Sequence, residues 1–259
     1  MIPKKIHYCW FGEAKFSELE KKCIESWRSF FPDWEIILWN EKNSPMDLPY
    51  MKNAYKNKKW ANLSNLTRLY ALIEYGGIYF DTDIEVVKKF DDILECNCFL
   101  GFQTKTINDN CVNDAVIGSN KKNVFIKELY DKILDSYDGT EEAYLSSPYI
   151  TSMLLLNKGL KEYKNQCIDN VSLFTQDYFY PYSWNEPFSF SSIKQNTRTI
   201  HYWNLSWKDE VSEIKVLTNE NEYLKSIIAN LYSGRIPFFR LFEINKYFLL
   251  KYFKRNKSK

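Results

Sequence analysis

Two carboxylates stand one residue apart, at Asp81 and Asp83, where the stretch SNLTRLYALIEYGGIYFDTDIEV (64–86) nears its end. In an extended chain alternate side chains point the same way, so both carboxylates can converge on one ligand. Paired hard oxygen ligands suit Mg²⁺ or Mn²⁺, which commonly complete their shell with water and substrate phosphate. A motif this short also describes a solvated acidic turn, so its surroundings decide between a metal site and a simple turn.

The residues before the two aspartates form the elements that must position them. Helical spacing of apolar residues predicts a helix over 61–75, with Asn65 and Arg68 together on a different face from the core. Gly76 and Gly77 supply a left-handed exit from that helix, and residues 78–80 read as a buried strand. The core face of the helix comprises Leu63, Leu66, Tyr70 and Ile73.

The start of the chain predicts an α/β fold. Residues 4–12 read as a first strand, 16–34 contain a helix that ends before Pro32, and 35–40 read as a second strand. A strand, helix, strand order of this length implies a parallel pair with a right-handed crossover. In such sheets ligands bind at the carboxyl ends of the strands.

Bulk composition excludes several classes of protein. The 259 residues are 45% hydrophobic and 17% aromatic, as expected for a globular chain with a sizeable core. A net charge of +2 gives no basic field for nucleic acid. Without a secretory signal or a bilayer-length apolar run, the expected location is the cytoplasm, and the six scattered cysteines are expected to be reduced. With only two histidines in the chain, a zinc site is not expected.

Four segments together resemble the DXD-containing sugar transferases of glycosyltransferase family 32, relatives of initiating α-mannosyltransferases and of bacterial capsule and lipopolysaccharide transferases. They are IPKKIHYCWFG, LWN, ANLSNLTRLYALIEYGGIYFDTDIEV and IHYWNLSW, so the resemblance covers residues 1–90 and returns at 200–208. It implies a GT-A-type nucleotide-sugar-binding fold, an α/β architecture with an open, mainly parallel sheet flanked by helices, over residues 1–233.

The resemblance also implies a donor pocket near the first strand. Trp10 would lie against the nucleobase, with His7 and Phe11 shaping that pocket, and Asn113 and Asp114 would touch the sugar. The residue types alone leave simpler roles open. A strand tryptophan is commonly core, and a histidine inside a strand commonly makes a structural hydrogen bond.

Catalytic and metal-binding roles follow from the same resemblance. Arg68 and Asp81 would contact the donor sugar or ribose, and Asp83 would bind a Mn²⁺ or Mg²⁺ ion that bridges the diphosphate. A C-terminal loop would close over the diphosphate through His201, Ser206 and Trp207. His201 is interpreted equally well as a metal or phosphate ligand and as a structural histidine.

Asn65 departs from the family pattern, because relatives usually carry Ser-Asp where this chain has Ser64-Asn65. That aspartate normally faces the donor, and asparagine replaces its charge with an amide donor. Three interpretations stay open: a natural variant with adjusted donor choice, a weakened or inactive relative, or an engineered change that traps substrate.

The implied reaction is metal-dependent, retaining transfer of a hexose from a nucleotide sugar, with a UDP-sugar favoured and a GDP-sugar possible as donor. The acceptor would be a glycan or lipid-linked sugar in surface polysaccharide synthesis, such as capsule. Two rivals are a nucleotide-sugar hydrolase and an inactive donor-binding or membrane-surface scaffold, for which Asn65 is the main support.

The last segment, 234–259, has its own composition. A helical wheel gathers its aromatic and leucine side chains on one side and its basic side chains on the other, which predicts an amphipathic helix. Such a helix suits peripheral association with an anionic membrane, where a lipid-linked acceptor would lie, or else packs on protein. Between 240 and 259 the charged residues are Arg240, Lys246, Lys251, Lys254, Arg255, Lys257 and Lys259 against Glu243.

Overall fold

The first strand, helix and strand form the parallel unit that the sequence predicts. In this computed structural model, which describes residues 1–204, β1 (Lys5–Cys9) pairs in parallel with β2 (Glu35–Trp39) across α1 (Glu18–Phe30). The side chain of Ser17 caps α1, and Glu20 completes a capping box. Two otherwise unpaired amide groups are thereby satisfied, which fixes where the helix begins.

A seven-stranded sheet in the order β2-β1-β3-β6-β5-β8-β7 forms the centre of the described chain. Five of its strands run in one direction, while β6 and β7 run in the opposite one. The predicted α/β architecture, an open and mainly parallel sheet flanked by helices, is confirmed. The further elements are α2 (Pro49–Lys56), α3 (Trp60–Tyr75), β3 (Gly77–Phe80), β4 (Ile84–Val86), β5 (Cys98–Phe102), β6 (Val112–Ser119), α4 (Val124–Ser136), α5 (Ala143–Asn157), β7 (Gln166–Ile168), β8 (Val171–Phe174) and β9 (Thr199–His201).

Helices cover both faces of the sheet and enclose two apolar cores. On one face α1 and the β4–β9 pair bury a cluster around Trp27, whose Nε1 donates to the carbonyl of Ile84 at 2.7 Å. On the other face α2 to α5 bury a cluster that includes Leu66 and Leu129. Among residues 1–204 no helix combines the length and the apolar character needed to cross a bilayer. The amphipathic helix predicted for 234–259 lies outside the described residues.

The turn between α3 and β3 uses two glycines, as the sequence predicts. Gly76 ends α3 with φ +62°, and Gly77 follows with φ +119°. A Cβ at Gly77 would lie 2.6 Å from the carbonyl oxygen of Lys5 on β1. Only glycine therefore lets β3 lie against β1 directly after the helix, and this places Asp81 at the carboxyl end of β3.

Gly77→Ala should destabilise the fold more than a φ penalty alone explains, because it adds a steric clash with the backbone of β1. Gly159 is a matched control, with φ +104° and open space around its Cβ position. We expect Gly159→Ala to lower the free energy of unfolding by about 1 kcal/mol. Gly77→Ala should lower it by roughly twice that or more in urea titrations. Equal losses for the two variants would contradict the clash.

Candidate active site

A cleft of about 880 Å³ opens beside the carboxyl ends of β1 and β3. Its lining contains most of the residues that the sequence marks as functional. Of the remaining ones, Ser206 and Trp207 lie outside the described residues, and His7 is buried and does not line the cleft. The predicted residues that line the cleft are Trp10, Phe11, Asn65, Arg68, Asp81, Asp83, Asn113, Asp114 and His201.

Asp81 is held by two donors on the same oxygen. Its Oδ1 accepts from Arg68 Nη2 at 2.9 Å and from the Tyr79 hydroxyl at 2.8 Å. Tyr79 lies two residues earlier on the strand, so its side chain points the same way, and its ring lies under the Arg68 guanidinium at 4.5 Å. The sequence analysis did not single out Tyr79, although the alternation of side chains along a strand places it on the same side as Asp81.

Arg68 is a buried cation that joins three elements. Its side chain is 5% exposed, and besides Asp81 it donates from Nη1 to Asp114, to the backbone carbonyl at 2.9 Å and to Oδ1 at 3.1 Å. Burial by itself lowers the pKa of Arg68, but Asp81, Tyr79 and Asp114 outweigh it and raise that pKa. Its described contacts therefore make Arg68 a positioning residue for Asp81, beyond the sugar contact that the resemblance implies.

Asp114 lies behind Arg68. It is fully buried, and Ser147 on α5 donates to its Oδ2. Burial raises the pKa of Asp114 to about 6, against the opposing effect of the Arg68 charge. The Asp114 carboxylate, part of the cleft lining, is bonded to Arg68 and Ser147, and its direct contact with the sugar stays a prediction.

Asn113 is also occupied by protein partners. Its side-chain amide donates to Gln103 Oε1 at 2.7 Å, and its oxygen accepts from the amide of Ala115 at 2.7 Å. Both Asn113 and Gln103 line the cleft. Gln103 is a further polar residue at the cleft that the sequence analysis did not single out.

Pairing of β4 with β9 brings the end of the described chain to the second aspartate. Ile84 pairs with His201, whose Nε2 lies 3.3 Å from Asp83 Oδ1. The backbone amide of Asn204 donates to Asp83 Oδ2 at 2.8 Å. Burial by itself raises the pKa of Asp83, but His201 and the Asn204 amide outweigh it, and the net effect lowers that pKa. Asp83 is therefore a carboxylate at neutral pH.

Asp81, Asp83 and His201 form a cluster with the chemistry of a metal site. One ligand atom from each lies within 4.8 Å of the others. Nδ1 of His201 is buried and has no hydrogen-bond partner within residues 1–204, and its ring packs on Trp203 with centroids 3.9 Å apart. Two carboxylates and an imidazole fit a divalent cation, so these residues could hold the ion that the DXD motif implies.

Trp10 and His7 have different positions relative to the cleft. Trp10 lines it, with its Nε1 donating to the carbonyl of Ala14 at 2.6 Å and its ring 4.6 Å from that of Phe16. His7 is fully buried, two residues before the end of β1. Trp39 donates to its Nδ1 at 3.1 Å, so Nε2 carries the hydrogen that points at the Gly76 carbonyl, 2.8 Å away.

The donor-pocket role predicted for His7 is therefore corrected. Burial lowers the pKa of His7 to about 4, so the imidazole is neutral at physiological pH. Both ring nitrogens are used inside the protein, and His7 is not part of the cleft lining. His7 stabilises the junction between β1 and the glycine turn, because it lies two residues before the end of β1 and bonds to Gly76 and Trp39.

Two family models match consecutive parts of the chain. Residues 17–100 match "Glycosyltransferase sugar-binding region containing DXD motif", and residues 118–230 match "Alpha 1,4-glycosyltransferase conserved region". The first range contains Arg68, Asp81 and Asp83, and the second contains His201. These matches agree with the enzyme class predicted from the sequence, a glycosyltransferase.

Curated relatives agree with that class. The chain is 28% identical over 250 residues to mannosyl phosphorylinositol ceramide synthase SUR1 of Saccharomyces cerevisiae, covering 90% of this chain and 59% of that protein. It is 23% identical over 185 residues to lactosylceramide 4-alpha-galactosyltransferase of Mus musculus, covering 68% of this chain and 47% of that protein. The chain thus spans about half the length of these relatives. Among solved structures, the PaToxG glycosyltransferase is 20% identical, with a TM-score of 0.46 over 61% of this chain and 70% of that one.

Relative to Asp114→Asn, the wild-type protein should lose stability as the pH rises. Folded Asp114 has its pKa raised from 3.8 to about 6, so the folded state holds a proton that the unfolded chain releases. That contribution is complete below about pH 4 and is lost as the pH rises through about 6. Urea unfolding between pH 4 and 8 measures the difference between the two proteins. Asp131→Asn, on the surface of α4, is the control, and parallel pH curves for wild type and Asp114→Asn would contradict the burial effect.

Proposed function

We propose that this protein is a metal-dependent, retaining glycosyltransferase that moves a hexose from a nucleotide sugar to a glycan or lipid-linked acceptor in surface polysaccharide synthesis. One observation carries the proposal. The neighbouring Asp81 and Asp83 meet His201, from a distant part of the chain, in a single large cleft that is also lined by Trp10. An acidic turn without function would not require a buried histidine to meet the second aspartate.

The donor would lie along the carboxyl ends of β1 and β3. Trp10 and Phe11 offer apolar surface for the base, with a UDP-sugar favoured and a GDP-sugar the alternative. Asp81, Asp83 and His201 would hold the cation, for which Mn²⁺ suits the mixed oxygen and nitrogen ligands and Mg²⁺ is the alternative. When bound, the cation neutralises charge that develops on the leaving diphosphate.

The protein's own residues orient the two carboxylates before any ligand arrives. Arg68 and Tyr79 occupy one oxygen of Asp81, and the side chain of Asp81 remains 29% exposed, so its second oxygen is available to a ligand. Asp83 is fixed by His201 and the Asn204 amide. Preorganised ligands need little rearrangement on binding, and this favours a site that stabilises developing charge.

Retention of configuration follows from the family resemblance. Asp81 and Asp83 stand side by side, with ligand atoms within 4.8 Å. Hydrolysis by an acid and a base needs carboxylates that flank the glycosidic bond from two sides. This pair therefore suits metal binding better than it suits direct attack on the sugar.

The proposed acceptor carries sugar rings, and a lipid-linked one is favoured. The names of the two relatives above describe enzymes that act on ceramide-based lipids. In this chain three exposed aromatic side chains line the cleft and offer stacking surfaces for sugars, namely Tyr55, Tyr144 and Trp184. The basic segment 234–259 would bring the enzyme to the inner face of the cell membrane, with the rest of the protein in the cytoplasm.

A donor should raise the melting temperature only when metal and Asp83 are both present. UDP-, GDP- and CMP-sugars are tested with Mn²⁺, Mg²⁺ or EDTA in a thermal-shift assay. A donor at one hundred times its Kd should raise the melting temperature by about 5 °C, since a ligand that binds only the folded state stabilises it by mass action. The shift should vanish with EDTA and in Asp83→Ala. Asp131→Ala, a remote aspartate on α4, should keep it.

The same preparation separates the transferase from its rivals. Sugar released free in water, with none attached to acceptor, would support the hydrolase. Failure of every donor to shift a folded wild-type protein would support the inactive scaffold. Sugar attached to a lipid-linked or glycan acceptor supports the proposal.

Removal of residues 234–259 should abolish binding to anionic vesicles and leave donor turnover intact. Seven basic residues stand between 240 and 259 against a single acidic one, and each basic residue near such a surface contributes about 1 kcal/mol of attraction. Co-sedimentation with phosphatidylserine vesicles at low and high salt measures the effect, with neutral vesicles as control. Unchanged vesicle binding by the shortened protein would exclude this segment as the anchor.

A further inference from the structure

Asn65 uses both hydrogens of its side-chain amide to hold the start of α5. Its Nδ2 donates to the backbone carbonyl of Ala143 at 2.9 Å and to Ser146 Oγ at 2.8 Å. The residue is 5% exposed, so these two bonds are largely shielded from water. Buried donors left without acceptors are costly, so the pairing constrains what position 65 can be.

The backbone carbonyl of Ala143 determines which groups donate and which accept in this contact. The Ala143 carbonyl can only accept, and the Ser146 hydroxyl donates to that same carbonyl at 3.1 Å. The oxygen of Ser146 is therefore left as an acceptor toward Asn65. An ionised aspartate at position 65 would supply no hydrogen and would place a carboxylate oxygen against the Ala143 carbonyl. The residue usual in relatives is thus the wrong partner for α5 in this chain.

The turn that Asn65 holds also supports the buried ion pairs. The next residue after Ser146 is Ser147, which donates to Asp114, and Asp114 accepts from Arg68, which in turn donates to Asp81. Along α3, Asn65 and Arg68 lie three residues apart and so share a face. A path of hydrogen bonds, with one step along the chain from Ser146 to Ser147, therefore runs from Asn65 to the carboxylate that faces the cleft.

Asn62 extends the same face of α3 by one turn. Its Nδ2 donates to the carbonyls of Gly139 at 3.2 Å and Glu141 at 2.9 Å, in the segment that leads into α5. Two asparagines thus bind consecutive parts of the α5 entry through backbone carbonyls. Because the amide donors of both side chains meet backbone carbonyl acceptors, the contact between α3 and the start of α5 is specific.

We propose that Asn65 is a positioning residue, which fixes the first turn of α5 and through it Ser147, Asp114 and Arg68, and that it is not a weakened copy of a catalytic aspartate. The proposal rests on the proposed function for its effect on turnover. Its prediction is opposite to that for a degenerate site, in which Asn65→Asp would raise turnover.

The test compares Asn65→Asp, Ser146→Ala and Thr151→Val with wild type. Thr151 lies on α5 with a buried hydroxyl that has no partner within residues 1–204, so valine there is a control of nearly equal shape. Initial rates with the donor found by thermal shift give kcat and KM, and amide hydrogen exchange reports on residues 143–149. The melting temperature of each variant identifies global unfolding.

Asn65→Asp should lower kcat/KM by roughly tenfold or more, as expected when a buried hydrogen bond is replaced by a repulsive contact. Exchange at 143–149 should quicken while β-sheet amides stay protected. Ser146→Ala should change both readouts in the same direction and less strongly, and it keeps the test valid where Asn65→Asp does not fold. Thr151→Val should match wild type.

Turnover in Asn65→Asp at or above that of wild type would overturn the proposal and identify Asn65 as a weakened aspartate. Unchanged exchange at 143–149 in both Asn65→Asp and Ser146→Ala would also overturn it. A wild-type protein without turnover would count against the proposed function alone, since the exchange readout needs no catalysis and still decides whether Asn65 fixes α5.

Discussion

The buried guanidinium of Arg68 is the interaction on which the candidate active site depends. A cation that is removed from water costs several kcal/mol unless close partners offset that cost, and here Asp81 and Asp114 accept from different terminal nitrogens of one guanidinium. Arg68 lies on α3, Asp81 directly follows β3, and Asp114 lies on β6. The ion pairs therefore join a helix to two neighbouring strands. Loss of the cation would leave the buried Asp114 and the partly exposed Asp81 without the partner that they share.

A second constraint is the short pairing between β4 and β9. It places His201 beside Asp83, although 117 residues separate His201 from Ile84, its partner in the register. The same pairing positions the amide of Asn204 against the other oxygen of Asp83. The cluster of Asp81, Asp83 and His201 therefore forms only when β4 and β9 pair.

Local spacing made much of this structure predictable. Helical periodicity gave α3, the glycine pair gave its exit, and the alternation of an extended strand gave two carboxylates on one side. Those inferences need only neighbours in the sequence. The family resemblance placed His7 at the pocket, whereas the depth of a side chain along a strand depends on where that strand ends in the sheet. The contacts of Asp114 could not be predicted from its neighbours in the sequence, because its burial behind Arg68 depends on packing between α3, β6 and α5.

The sequence by itself determined the α/β pattern, the DXD motif and the resemblance to a glycosyltransferase family. All three are properties of short segments with their own periodicity and chemistry. Tertiary structure decided which groups meet. In the folded chain His7 is buried away from the cleft, and His201 lies beside Asp83. Tyr79 donates to Asp81, and Asn65 donates to the start of α5. The physical reason is that burial and hydrogen bonding are set by distant segments, whose arrangement follows from sheet order and register and is not encoded in any local stretch.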